Sequence, residues 1–461
     1  MQRASNQKTA ITGAKSQPVR IARRAALLAS AVAGSMTLVS AASGATVTWA
    51  GTIQDPNSGS YTVTAQGTAG GLLNGTVFNW DTTTANWTGA PTYTALDNAV
   101  FTDNFAGGRI IRLPSSSMNP TSMTFAHIAG AAPATYTFIR GGTSDADLQL
   151  AAVNLTSNTM FGAQNPSTAI TLDTGFLGHV KIRARANSGA LNGNTIIRSG
   201  ILEINDALAL PGSTSTNSPL ITLDGGELRI NVNTAGNTQP AATNLTGALT
   251  VLSNSTLANG ETTRASGATI YNGAISMGAG ITLTVKSVTP IRANFSNTNF
   301  NAVAGTIALA DDIPSGNITV AALGNGSNQD ALNALIDLGS GSSELLATTA
   351  TVQYDFGALT GGANTKLSGS TAAGVTTYAI GARGDSTTYA GTIRSGLVGT
   401  TALSKNGTGT LTLTGTNTYT GPTAANAGSI VLTGALGSAT TSSATLGLGG
   451  TLRLDNASAN N

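Results

Sequence analysis

The chain has 461 residues, no cysteine, 57 glycines, 40% hydrophobic residues and 9% charged residues, against roughly 25% charge in an ordinary globular domain. That composition excludes helical bundles and coiled coils, which need abundant Ala, Glu, Lys, Leu and Arg, and a charge-driven disordered chain, which lacks this much apolar content. Thr, Ser, Asn and Gly interleaved with Leu, Ile and Val instead compose short strands and turns.

The formal charge of +2 misleads, because the first 45 residues hold Arg3, Lys8, Lys15, Arg20, Arg23 and Arg24 and no acid. Beyond them stand 16 basic against 20 acidic residues, a net of −4. Such a balance gives no bulk attraction to nucleic acid or anionic membranes. After Arg23-Arg24 an apolar run from Ala25 to Val39 leads into Ser43-Gly44-Ala45. A basic stretch, a short apolar stretch and small residues at the last and third-last positions describe a secretory signal peptide over 1–45, cleaved near Ala45. The twin arginines sit in a poor context for the folded-protein export signal, so the general route is expected. No later segment offers 18 uninterrupted apolar residues, so no later helix is expected to span a membrane. A small exported domain usually needs disulfide staples; a chain this long can stabilise itself by repetition.

All three tryptophans, Trp49, Trp80 and Trp87, follow closely on the predicted cleavage. Residues 46–105 therefore read as an N-terminal β-rich cap whose aromatics cover the open end of a repetitive core. A sugar-stacking platform at Trp80 and Trp87 is the second reading.

From 106 to 400 the sequence reads as a solenoid. Gly200-Ile-Leu-Glu-Ile, Gly226-Glu-Leu-Arg-Ile, Gly409-Thr-Leu-Thr-Leu, Gly428-Ser-Ile-Val-Leu and Gly450-Thr-Leu-Arg-Leu share one pattern. A glycine opens each strand, and alternate apolar residues bury one face. The spacings of 26, 19 and 22 residues between successive openings suit coils of a parallel β-helix. Stacked coils set like residues above one another, so repeated charges would repel, whereas Thr, Ser and Asn form hydrogen-bonded ladders.

Residues 403–432 carry a longer motif, L-x-K-x-G-x-G-T-L-x-L-x-G-x-N-x-Y-x-G-x-T-x-x-x-x-G-x-L. It is met at Leu403, Lys405, Gly407, Gly409, Thr410, Leu411, Leu413, Gly415, Asn417, Tyr419, Gly421, Thr423 and Gly428, with Ile430 at the last Leu position. This stretch resembles the autotransporter-associated β-strand repeat, also called the passenger-associated transport repeat. Asn79-Trp80-Asp81, Asn86-Trp87 and Asp97-Asn98-Ala99-Val100-Phe101 resemble the opening of large exported proteins with such repeats. The resemblance implies a bacterial, secreted or surface-displayed passenger, in which the repeat assists folding and translocation and carries no catalytic residue. It also implies a terminal membrane β-barrel of amphipathic strands. The residues up to Asn461 show no such strands, so any outer-membrane attachment is expected through a missing or separate anchor.

Catalytic chemistry finds little to stand on. The histidines are His127 and His179, and neither a zinc H-E-x-x-H nor a G-x-S-x-G nucleophile motif occurs. Asp173-Thr174-Gly175 mimics half of an aspartic-protease site, but the nearest second copy, Asp224-Gly225-Gly226, lacks the Thr, and that chemistry needs two carboxylates sharing a proton. A polysaccharide lyase or hydrolase on a β-helix would need paired acids, for which Asp145 and Asp147 are candidates and Asp311-Asp312 point to opposite faces. His179-Val180-Lys181-Ile182-Arg183-Ala184-Arg185 alternates so that His179, Lys181, Arg183 and Arg185 face outward, a row suited to an acidic polysaccharide or to blunting edge pairing. Arg383-Gly384-Asp385 spells an integrin-recognised tripeptide.

The expected protein is all-β, a right-handed parallel β-helix with an N-terminal β-rich cap, and residues 401–461 hold the repeat and a final coil. Its expected role is an exported structural shaft with an adhesive use. Its rivals are a polysaccharide-active enzyme and a glycan-binding module. Candidate binding residues are His179, Lys181, Arg183, Arg185, Trp80 and Trp87. No catalytic residue, metal, cofactor or nucleic-acid partner is expected, and the oligomeric state stays open.

Overall fold

The computed structural model describes residues 46–49, 76–79, 87–88, 98–102, 107–113, 122–130, 134–140, 169–182, 194–204, 221–230, 248–260, 268–271, 273–287, 293–295, 299–310, 319–323, 329–347, 350–370, 372–433 and 443–455. The predicted signal segment lies outside these residues, as do Trp80, Asp145, Asp147, Arg183, Arg185, Asp311 and Asp312. Every regular element among the described residues is a strand.

The local cause is alternation. In Ala169–Leu172, Ile170 and Leu172 are buried while Ala169 and Thr171 are half-buried on the outer side. Thr410–Leu413 repeats the pattern with Leu411 and Leu413 inward. Segments of three to six such residues bury a face only when another coil lies above or below them.

Stacking supplies that neighbour. The longest sheet has fifteen strands, from Thr76–Asn79 to Ala444–Leu446, and at about 4.8 Å per strand it runs about 70 Å. A ten-stranded sheet begins beside it with Thr46–Trp49 and ends with Asn299–Val303. In the early coils the chain visits the ten-stranded sheet, turns, and enters the long one, as Thr195–Ile197 leads into Ile201–Ile204. A six-stranded sheet starts at Ala268–Tyr271, and a four-stranded one, from Thr387–Tyr389 to Gly450–Leu454, forms a wall of the last coils. The cross-section therefore changes along the rod.

The register matches the sequence spacings. Ile201 pairs with Glu227, Thr410 with Ser429, and Gly428 with Gly450, all parallel. Among the described residues the exception to parallel pairing is Trp87–Thr88, which lies antiparallel across Thr46–Trp49 at the outer edge of the ten-stranded sheet. A strand in that place occupies backbone groups that would otherwise template further pairing.

Inside, in-register pairing builds columns. Phe101 pairs with Phe125 in the next coil, and their rings stack at 5.2 Å with a 15° interplanar angle. Trp49 packs into the described core beside them, edge-on to Phe78 at 6.0 Å and tilted against Phe101 at 5.8 Å. Further along, Leu172, Ile197, Leu223, Val251 and Met277 form an aliphatic column, all buried. Tyr354 and Tyr378 stack at 5.6 Å in the coils before the repeat.

Candidate functional site: the repeat coil and the charged face

The outer face of the long sheet carries the first candidate. His179 and Lys181 lie on His179–Ile182 with Val180 and Ile182 buried beneath them, as the alternation requires. The next coil sets Glu203 opposite Lys181, and the one after sets Arg229 opposite Glu203. His179 Nε2 lies 2.8 Å from Glu203 Oε2. Beside them Glu227 is gripped from two sides, by Arg229 Nη2 at 2.6 Å and Lys286 Nζ at 3.0 Å. Both glutamates are buried against their neighbours. The charges thus alternate in sign from coil to coil, and the face around His179 and Lys181 is an ion-pair ladder of mixed sign. The glutamates were visible in the strand motifs, but reading strands singly hid that they stack on the basic ones. Trp87 is paired in register with Trp49.

The acidic motifs resolve similarly. Arg198 stands between Asp173 and Asp224, at 3.5 Å and 3.8 Å respectively. The strand just before it, Thr195–Ile197, pairs with the strands ahead of both acids, so the two carboxylates flank a guanidinium and do not share a proton. Arg383 Nε donates to Asp385 Oδ2 at 2.8 Å, closing the tripeptide's charges on each other. Among the described residues, no three His, Asp or Glu side chains converge as metal ligands.

The stretch 403–432 is where motif and geometry coincide. Leu403, Leu411, Leu413 and Ile430 fill the core. Lys405 is buried in the wall at the end of Thr400–Lys405, and its Nζ donates to the carbonyls of Asn406 at 2.5 Å and Gly407 at 2.9 Å. The ammonium so neutralises turn carbonyls that stacking leaves without strand partners, while burial lowers its pKa. Asn417 is buried and bonds in two directions: Nδ2 donates to Gly415 O, and Oδ1 accepts from Ile393 N of the preceding coil, each at 3.0 Å. Tyr419 and Thr423 share a hydroxyl hydrogen bond of 2.6 Å.

The motif glycines mark contact between backbones. A Cβ on Gly409 would sit 2.1 Å from Asp385 O, and one on Gly415 would sit 2.2 Å from Gly391 O. Gly407 and Gly428 also hold φ near +67° and +64°, which side-chain-bearing residues rarely adopt.

Residues 403–432 match the family model of the passenger-associated transport repeat. The chain carries that repeat. Neither the curated proteins nor the solved structures hold a match to the chain. The transport repeat runs through more than one coil and stacks on itself, Leu403 pairing with Thr423 and Thr410 with Ser429, and each polar motif residue described above spends its hydrogen bonds on closing a coil or tying it to its neighbour. This is the chemistry of a structural repeat.

Gly415→Ala is expected to lower unfolding free energy by about 1–3 kcal/mol, since backbone must move to admit the methyl; urea titration measures it, and an unchanged midpoint would contradict the contact.

The buried tyrosines set the alkaline limit. Burial raises the phenol pKa values of Tyr271, Tyr378, Tyr389 and Tyr419, whereas an unfolded tyrosine ionises at about 10. A raised folded value means stability is intact below about pH 10 and is lost as pH climbs above it. Lys405 opposes this, because its lowered value makes the fold gain as pH rises toward the ordinary lysine value, but it is one group against four. Tyrosinate absorbance and loss of strand circular dichroism are expected to appear together above about pH 10. Ionisation of these tyrosines in a fully folded chain would refute the burial.

Proposed function

We propose that the chain is an exported structural protein, a β-helical passenger-like shaft displayed at the cell surface or released outside it. The observation that carries this reading is the transport repeat at 403–432, whose strands lie in register in successive coils of a long parallel stack. The basic and apolar leader through Ala45 supports it as a signal peptide. Protease treatment of intact producing cells tests the reading. Fragments released from unbroken cells, from a chain whose amino terminus lies near Thr46, are expected; full protection inside the cell with the leader retained would refute it.

The adhesive use is assigned to contact with acidic extracellular polysaccharide through the strand at His179, with Trp80 and Trp87 as further sugar-facing candidates. What supports it is the concentration of cations at Lys181, Arg183 and Arg185 in a chain this poor in charge. Replacing those three with Ser is expected to abolish salt-sensitive retention on an acidic glycan, with the melting curve reporting folding in parallel. Retention that is unchanged in a folded variant removes the basic strand from the binding surface.

A further inference from the structure

Three stacked turns, at 369–370 with 372–375, at 395–400 and at 420–422, form the corner that enters the long sheet just before and within the transport repeat. Their register is set by Val375 pairing with Thr400 and by Gly421 N donating to Thr401 O at 2.9 Å. From this corner projects an apolar knob. Leu397 is 87% exposed and Val398 65%, with Val375 at 41% on the adjacent coil. Ala372, Ala373 and Pro422 are exposed on the neighbouring turns, and none of the three turns contains a charged residue. The guanidinium of Arg394, next to the second turn in sequence, is turned to the six-stranded sheet, where it donates to Glu344 and Ser368.

The knob is held rigidly. Ser395 Oγ accepts from Thr401 N at 3.2 Å and Thr420 N at 2.9 Å, tying the turn to the next coil. Thr401 Oγ1 donates to Arg394 O at 2.9 Å. On the preceding turn, Thr376 Oγ1 accepts from Ser370 N and Ser370 Oγ accepts from Ala372 N, each at 3.1 Å. The hydroxyls of Ser370, Thr376, Ser395, Thr400, Thr401 and Thr420 are thus engaged within the corner, and the exposed side chains described on it are hydrocarbon.

That combination selects the kind of partner. A protein interface carries about one hydrogen bond per 100–200 Å² and needs on the order of 1,000 Å² in all; a few apolar side chains whose neighbouring hydroxyls are already engaged meet neither condition. A projecting tip also needs a concave or a fluid partner, and fluid hydrocarbon accepts apolar side chains in proportion to their area without matching their shape. Neutrality removes any preference for anionic surfaces. We infer that Leu397 and Val398 form a membrane-interface contact that dips into the acyl boundary of a neutral, zwitterionic bilayer. The contact is weak and reversible, as so small an apolar anchor must be, and salt leaves it unaltered. It is independent of the export reading, since it follows from the knob alone.

The absence of cysteine makes the test direct. Leu397→Cys in the full chain, labelled with an environment-sensitive fluorophore, is mixed with phosphatidylcholine vesicles, beside a Thr388→Cys control on another wall. A blue shift at position 397 and none at 388, unchanged in high salt, is expected. Co-sedimentation of unlabelled chain should fall at least tenfold in L397S/V398S while its melting curve is kept. No shift at 397, or sedimentation equal in the double variant, overturns the inference. Concentration-dependent dimerisation abolished by L397S/V398S would overturn it too, assigning the knob to a second copy.

Discussion

Everything in this protein follows from parallel in-register stacking. Each residue in a paired stretch of strand has its counterpart about one strand spacing away in the next coil, so a choice made in one coil becomes a neighbour in the following one. Apolar residues become columns such as Leu172, Ile197, Leu223, Val251 and Met277. Corners become places where backbone lies on backbone, and there a Cβ at Gly409 or Gly415 has no room.

The transport repeat is a compact answer to that constraint. Its glycines let successive corners touch. Lys405 supplies donors to turn carbonyls, and Asn417 supplies a donor and an acceptor between coils. Its apolar positions belong to the common core, which explains how a motif without catalytic chemistry can be so specific in its residues. A residue that closes a coil is constrained by the backbone above and below it as tightly as a catalytic group is by substrate.

Charge is handled by the same rule. Repetition of one sign would be penalised along the stack, and the outer face of the long sheet instead alternates Lys181, Glu203 and Arg229, with Glu227 between Arg229 and Lys286. Arg198 between Asp173 and Asp224 does this on a smaller scale. Pairing inside a single turn, as in Arg383 with Asp385, achieves the same neutrality locally. Against this background the uncharged corner at Leu397 and Val398 stands out, because nothing in stacking requires apolar side chains to face solvent there.

The sequence by itself determined strand character and repeat length. Alternation identified the buried face, the spacing from Gly428 to Gly450 equals the observed pairing, and the motif at 403–432 was readable residue by residue. Only the tertiary structure decided which side chains meet across coils. Strands that stack are separated by turns of unequal length, as when Ser122 pairs with Ala169 while Gly428 pairs with Gly450. A local pattern therefore shows which way a side chain faces without showing what lies beside it. That is why His179 and Lys181 were legible as outward and basic, while the placing of Glu203 against His179 and opposite Lys181 was not. The Arg-Gly-Asp tripeptide shows the same limit: its letters were legible, but the ion pair between Arg383 and Asp385 was seen only in the folded turn.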